Sequence, residues 1–165
     1  MIKEYFLLLL FLFIFSICAN ADYLTQDFLD EAIKDPSQSR KDLIFDITKL
    51  NNLRKYYSGP FINTNISQHY FEYGNYNVLL VTEKIKELNF VCDYLILEKL
   101  HPETHFANGP VEINDNYFNW EITVVVKQKW RGEFTDDIIQ AFIVNLKTKK
   151  IEKFLYETIR LYSEV

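Results

Sequence analysis

Hydrophobic and polar positions alternate most clearly over residues 120–130, WEITVVVKQKW. Trp120, Ile122, Val124, Val126 and Trp130 fall on one face. Glu121, Thr123, Lys127 and Lys129 fall on the other, and only Val125 and Gln128 are out of step. A period of two is what a half-buried strand needs, because successive side chains point to opposite faces. Residues 138–146, IIQAFIVNL, are rich in β-branched and aromatic side chains and predict a second strand. KTKK then turns the chain, and IEKFLY runs back. Residues 120–156 therefore predict a three-stranded antiparallel meander. Its Trp120, Ile122, Val124 and Val126 face is expected toward the core and its Thr123 and Lys127 face toward solvent.

Upstream, the period lengthens. Thr25 is placed to cap a helix over 25–34, with Phe28, Leu29, Ala32 and Ile33 on one side and Asp35-Pro36 as its stop. Over 40–57, Leu43, Ile44, Ile47, Leu50 and Leu53 recur at three- and four-residue spacing and predict a second helix, ended by Ser58-Gly59-Pro60. Residues 66–73, ISQHYFEY, read as a short strand, with Gly74-Asn75 as a turn. The longest helix is expected over 76–100, on a stripe of Val78, Val81, Ile85, Leu88, Cys92, Leu95 and Ile96. Val78 to Val81 read equally as a strand, with Thr82 capping a shorter helix; Pro102 closes the element either way. Residues 101–119 are polar, contain Gly109-Pro110, and predict a loop with a short strand near Val111 to Ile113. Internal repeats and low-complexity stretches are not found.

Residues 1–21, MIKEYFLLLLFLFIFSICANA, change the picture at the N-terminus. Lys3 gives a short basic region, partly offset by Glu4. An apolar run follows, and Ala19-Asn20-Ala21 fits a small-x-small cleavage pattern, as in a secretory signal peptide. The run is short of the roughly 20 residues a membrane span needs. An uncleaved anchor and a lipid on Cys18 are the alternatives, and bulky Ile17 disfavours the second. Cleavage after Ala21 leaves residues 22–165 as a single domain in a secreted or periplasmic location, with no stable membrane span. Cys92 is then the only cysteine, so an intrachain disulfide is excluded. Lys3 and Glu4 leave together, and the net charge stays at −5. An acidic chain without a basic block argues against nucleic acid and anionic membranes. A composition 48% hydrophobic and 16% aromatic can build a packed core rather than a disordered chain.

Helices first, then one long helix and a meander, predict an α+β fold: an N-terminal helical hairpin, and a long helix packed on one face of an antiparallel sheet. That order resembles the cystatin-like and NTF2-like group of small domains. The hairpin FIVNLKTKKIEKF is also similar to the last hairpin of NTF2-fold immunity proteins, except that Lys149 stands where such turns often carry Gly. The resemblance implies a long helix across a curved sheet, and it transfers no functional residue.

The candidates for chemistry are thin. HPETH places His101 and His105 four apart around Glu103, but Pro102 breaks the helix a zinc motif needs and Glu103 is displaced by one. Cys92 paired with His101 or His105 would need an accessible, electropositive thiol, whereas LNFVCDYLIL is apolar. Asp136-Asp137 and Asp30-Glu31 are neighbours that point apart. Asn114-Asp115-Asn116 lacks the glycine and distal glutamate of a calcium loop. Asn65-Ile66-Ser67 fits an N-glycosylation sequon, which acts only in a eukaryotic secretory pathway. The reading therefore assigns no catalytic residue, no cofactor and no metal, and the protein is not expected to be an enzyme.

Aromatic residues are the surplus: Tyr56, Tyr57, Tyr70, Phe71, Tyr73, Tyr76, Tyr117, Phe118, Trp120 and Trp130. They suit either core filling or a contact surface, since Tyr and Trp are enriched at interfaces. The function expected is an exported, non-enzymatic domain that binds a protein partner, in the manner of an inhibitor or a toxin-immunity protein. The alternative is a small-ligand module with an apolar pocket between the long helix and the sheet.

Overall fold

The computed structural model describes residues 22–35, 43–51, 53–114, 116–118, 122–127 and 133–162, with the side chains of residues 117 and 118 excepted. Its one α-helix among them is short. Helix α1 spans Gln26–Lys34, and the Thr25 hydroxyl accepts from the Phe28 backbone N–H, as the sequence predicts for a cap. All the rest is strand, turn or loop. In chain order the strands are β1 (Ile44–Phe45), β2 (Arg54–Pro60), β3 (Ile66–Tyr73), β4 (Tyr76–Ile85), β5 (Leu88–Glu98), β6 (His105–Asn108) and β7 (Val111–Ile113). They continue as β8 (Asn116–Phe118), β9 (Ile122–Val126), β10 (Phe134–Thr135), β11 (Ile138–Asn145), β12 (Lys150–Phe154) and β13 (Ile159–Tyr162).

These strands form three antiparallel sheets. The first has the order β1-β5-β4-β3-β2, the second β12-β11-β9-β6 and the third β10-β13-β7-β8. The first sheet curls until its edges meet: the Phe45 ring on β1 lies 6.4 Å from the Tyr56 ring on β2. Its concave side is filled by Phe28, Leu29 and Ala32 of α1 against Phe71, Val78, Leu80 and Val91. Its other side, with Leu79, packs on Phe106, Val125 and Phe142 of the second sheet. The second sheet in turn buries Val124, Val126 and Ala141 against Val111, Ile113, Ile159 and Leu161 of the third.

The α+β expectation is therefore overturned, and with it the cystatin-like and NTF2-like resemblance: among the described residues the chain is nearly all β. The predicted long helix over 76–100 is the hairpin β4–β5, paired from Tyr76↔Glu98 to Ile85↔Leu88. The physical reason is burial on both faces. Residues 77 to 82 of β4 are all buried, so apolar side chains run continuously and their spacing also fits a helix. The turn goes undetected because Lys86, at φ 57°, takes the left-handed position that usually carries Gly or Asn. The second helix of the predicted hairpin, over 40–57, is also absent. Where the structure describes that stretch it is β1, a single 3-10 turn at Ile47–Lys49 capped by Asp46, and the start of β2.

Three of the other local expectations hold, while residues 105–108 of the expected loop form β6 and residues 1–21 lie outside the described residues. The strand at Ile66–Tyr73 and its Gly74-Asn75 turn are present, as is the short strand Val111–Ile113. The meander is present as adjacent strands β9, β11 and β12, with Ala141 facing both Val124 and Phe154. Its expected polarity is not. Every residue of Ile122–Val126 is buried, Thr123 included, because the second sheet lies between the other two. Val125, out of step in a two-faced pattern, fits a strand covered on both sides. Trp120, Glu121 and residues 128–130 lie outside the described residues. Among the described residues, no helix is long and apolar enough to cross a membrane.

Candidate binding cleft

A cleft of about 400 Å³ opens where β2, an edge of the first sheet, faces β6, an edge of the second. Its aromatic wall is built by register. Tyr57 on β2 is the cross-strand partner of Tyr70 on β3, and their rings stack at 4.8 Å and 17°. Cross-strand aromatic pairs of this kind are a main unit of sheet stabilisation. Gly59, two residues beyond Tyr57 on the same face, makes room for the ring: a Cβ there would lie 3.1 Å from the Tyr57 hydroxyl. Phe106 of β6 continues the wall, 6.3 Å from Tyr70 and 6.4 Å from Phe142 behind it.

The polar part of the cleft is Glu72, two residues beyond Tyr70 on the same face of β3. Glu72 is buried, and two ammoniums reach it. Lys99 Nζ lies 2.8 Å from Oε2, and the Lys99 side chain is only 7% exposed. Lys55 Nζ lies 2.8 Å from Oε1, and the Lys55 side chain is 58% exposed. Burial works against the Glu72 charge, and the two lysines outweigh it, so its carboxyl sits below the usual glutamate range. Asn77 closes the floor, where its Nδ2 donates to the Thr104 carbonyl at 3.0 Å.

A second hollow, of about 360 Å³, lies at the seam of the first sheet. His69 is buried there. Its Nδ1 is 3.0 Å from the Tyr56 hydroxyl and its Nε2 2.8 Å from Thr82 Oγ1, so a neutral ring has one donor and one acceptor bond in either tautomer. Phe45 covers it at 4.5 Å. Burial lowers the His69 pKa to about 4. A third hollow, beside β13, is lined by Glu112, Asp136 and Arg160, where Glu112 and Arg160 pair with each other at 3.6 Å.

The residues weighed from sequence fall as follows. His101 and Glu103 lie in a turn, and His105 opens β6, its Nδ1 donating to the Glu103 carbonyl at 2.7 Å. They are not on a helix, and no group of three metal-binding side chains forms among the described residues. Cys92 is half-buried at a bulge of β5 rather than mid-helix, and its thiol is pushed up in pKa, chiefly by burial. Asp30, Glu31, Asp136 and Asp137 are exposed. Asn114 caps a turn, its Oδ1 accepting from Glu157 and Thr158 backbone N–H groups; Asp115 lies outside the described residues. Asn65 is exposed in the β2–β3 turn, with Nδ2 3.0 Å from Glu83.

Of the surplus aromatics, the structure brings Tyr57 and Tyr70 together and places Tyr56 on His69. Phe71 goes to the core, and the Tyr73 hydroxyl donates to Asp30. The side chains of Tyr117, Phe118, Trp120 and Trp130 are outside the described residues. Sequence reasoning missed Lys55, Glu72 and Phe106. The available signal was the alternation in ISQHYFEY, where Gln68, Tyr70 and Glu72 share one face. No family model matches the chain, and neither does any curated protein or any solved structure.

Proposed function

We propose that the protein is an exported, non-enzymatic binding domain that holds a segment of another protein in the cleft between β2 and β6, as an inhibitor or immunity protein does. The observation that carries this reading is the stacked Tyr57–Tyr70 wall, continued by Phe106 and set beside a charged pair. Such a wall supplies rigid contact area with a polar rim, which is how binding hot spots are built. The chain's acidity favours a basic partner through steering. Secretion or periplasmic delivery rests on the signal-like residues 1–21.

The test is a photo-crosslinking amino acid placed at position 57 of the exported protein in its own extracellular or periplasmic milieu. A protein adduct at position 57 is expected, with none from the same label at Leu155, which is 82% exposed elsewhere. Labelling only by buffer or by small molecules would sink the protein-binding reading. The cleft volume also falls in the small-ligand range of about 300–1,000 Å³, and that second outcome is read by native mass spectrometry. The long helix that would wall a pocket against the sheet is absent among the described residues.

A further inference from the structure

Lys55 is held in an unfavourable backbone conformation. Its φ is 50°, in the left-handed region that Gly and Asn enter readily and lysine does not. It sits in the irregular pairing between Arg54 and Tyr57, where β2 slips against β3. Strain of this kind persists only where the surroundings impose it, and it gathers at binding sites. The result here is that the Lys55 ammonium stands 2.8 Å from Glu72 Oε1 at the cleft wall.

The two ion pairs of Glu72 differ in exposure. Oε1 is buried and has the Lys55 ammonium as an ion-pair partner without a hydrogen bond of ordinary angles. Oε2 has a buried cation in Lys99, also at 2.8 Å. Glu72 therefore holds one buried counter-ion and one that is 58% exposed. The Lys55 ammonium is rehydrated when it leaves, and Lys99 keeps the carboxylate paired.

We infer that Glu72 Oε1 is the receptor for an arginine or lysine side chain of the bound segment, and that Lys55 occupies its place until the segment arrives. The inference rests on the binding role proposed above and names the chemistry of what binds. Cation replaces cation at Oε1, so Lys99 keeps its partner and the buried carboxylate stays neutralised. The planar guanidinium of arginine fits best, because it aligns two donors on a carboxylate while stacking on the adjoining Tyr57 and Tyr70 faces. A carboxylate guest would meet Glu72 at the wall and would have to pull Lys55 away from it.

The experiment titrates the full chain with three capped peptides, Ac-GGRGG-amide, Ac-GGEGG-amide and Ac-GGLGG-amide, at millimolar concentration, following the Tyr ring signals by NMR. The arginine peptide is expected to shift the Tyr57 and Tyr70 rings, and the other two are not. Lys55→Gly, which removes both the occupant and the strain, is expected to tighten the arginine peptide by about fivefold. Glu72→Gln is expected to abolish binding. Because it also strands Lys99, Tyr57→Leu serves as the second variant and is expected to weaken the arginine peptide with the fold intact. Preference for the glutamate peptide, no binding of any peptide, or no gain from Lys55→Gly would each overturn the inference. If the adduct at position 57 still forms in those cases, the protein-binding role stands without it. If that also fails, both fall.

Discussion

Thr123 shows what a single position in this fold must satisfy. It is 1% exposed, and its hydroxyl donates to Gln68 Oε1 across the sheet interface at 2.9 Å. Its neighbour Val124 faces the opposite way, into the third sheet, and is fully buried. Val124→Asp buries a carboxylate among apolar side chains and is expected to cost about 4 kcal/mol or more, and Thr123→Asp buries one beside the Gln68 and Asn108 amides and is expected to cost about 2 kcal/mol or more. Lys127→Asp, at an exposed position just past the strand, should change stability by only about 0.5 kcal/mol. Urea melts of the three variants check the contrast, and a tolerant Thr123→Asp would mean that the interface between the first two sheets is wet. His69 makes a prediction of opposite chemical sense. Its folded pKa lies below the unfolded 6.5, at about 4, so folding favours the neutral ring. The stability this contributes is present in full above pH 6.5 and is lost as the pH falls from 6.5 to about 4, by at most about 3 kcal/mol. His69→Gln should flatten that part of a stability-versus-pH curve; an unchanged curve would place the acid sensitivity elsewhere.

At the scale of the element, the errors of sequence reading share a cause. The chain has only four glycines, so its turns are made by other residues. Lys86 and Lys149 take left-handed positions at the ends of β4 and β11, and Asn63 and Asn114 do so elsewhere. The β4–β5 hairpin is thus written without punctuation, as EKIKEL, in which every residue but Ile85 is a good helix former, next to a strand apolar on both faces. The strand ISQHYFEY is legible because it is short, rich in β-branched and aromatic residues and ended by Gly74 at a left-handed φ, although both its faces are buried. Helix α1 was legible because cap, amphipathic face and stop all agreed. The cleft was legible only as a surplus of tyrosines. Its two sides, β2 and β6, are far apart in sequence, and residues 54–57 of β2 fall in the helix that the 40–57 spacing predicts. Gly59 allows a test at this scale. Its backbone φ is not left-handed, so Gly59→Ala acts through space alone, pressing on the Tyr57 ring at 3.1–3.3 Å. The ring must give by a few tenths of an ångström, and the expected readout is a shifted near-ultraviolet circular dichroism signal with a loss of at most about 1 kcal/mol from loosened stacking on Tyr70. An unaltered spectrum would show that Tyr57 is not held by stacking.

For the whole molecule, the question is what closes the curl of the first sheet. Strand β1 is only two residues long, and two-residue pairing with β5 alone is marginal. It is held from the other side by the segment before α1. Leu24 N–H donates to the Ile44 carbonyl at 2.8 Å, and Ile44 N–H donates to the Asp22 carbonyl at 2.9 Å. Leu24 is fully buried beside Phe28 and Val91, so the segment that ties the edge also puts one side chain into the concavity. This bears on processing. Cleavage after Ala21 keeps the tie whole, with Asp22 as the first residue, whereas cleavage three residues later would remove it. Signal cleavage after Ala21, expected from Ala19-Asn20-Ala21, would start the protein at Asp22, which mass spectrometry checks. A protein begun at Asp22 should unfold at the same urea midpoint as the full chain. One begun at Thr25 loses both hydrogen bonds and the Leu24 side chain. Removal of a buried leucine typically costs about 2–5 kcal/mol, and opening the seam would also uncover His69 and Phe45. Its midpoint should fall accordingly, and its His69 should titrate closer to the ordinary value of 6.5. Equal midpoints for the two proteins would show that residues 22–24 lie on the edge without closing it, and that the curl is set by β2 to β5 alone.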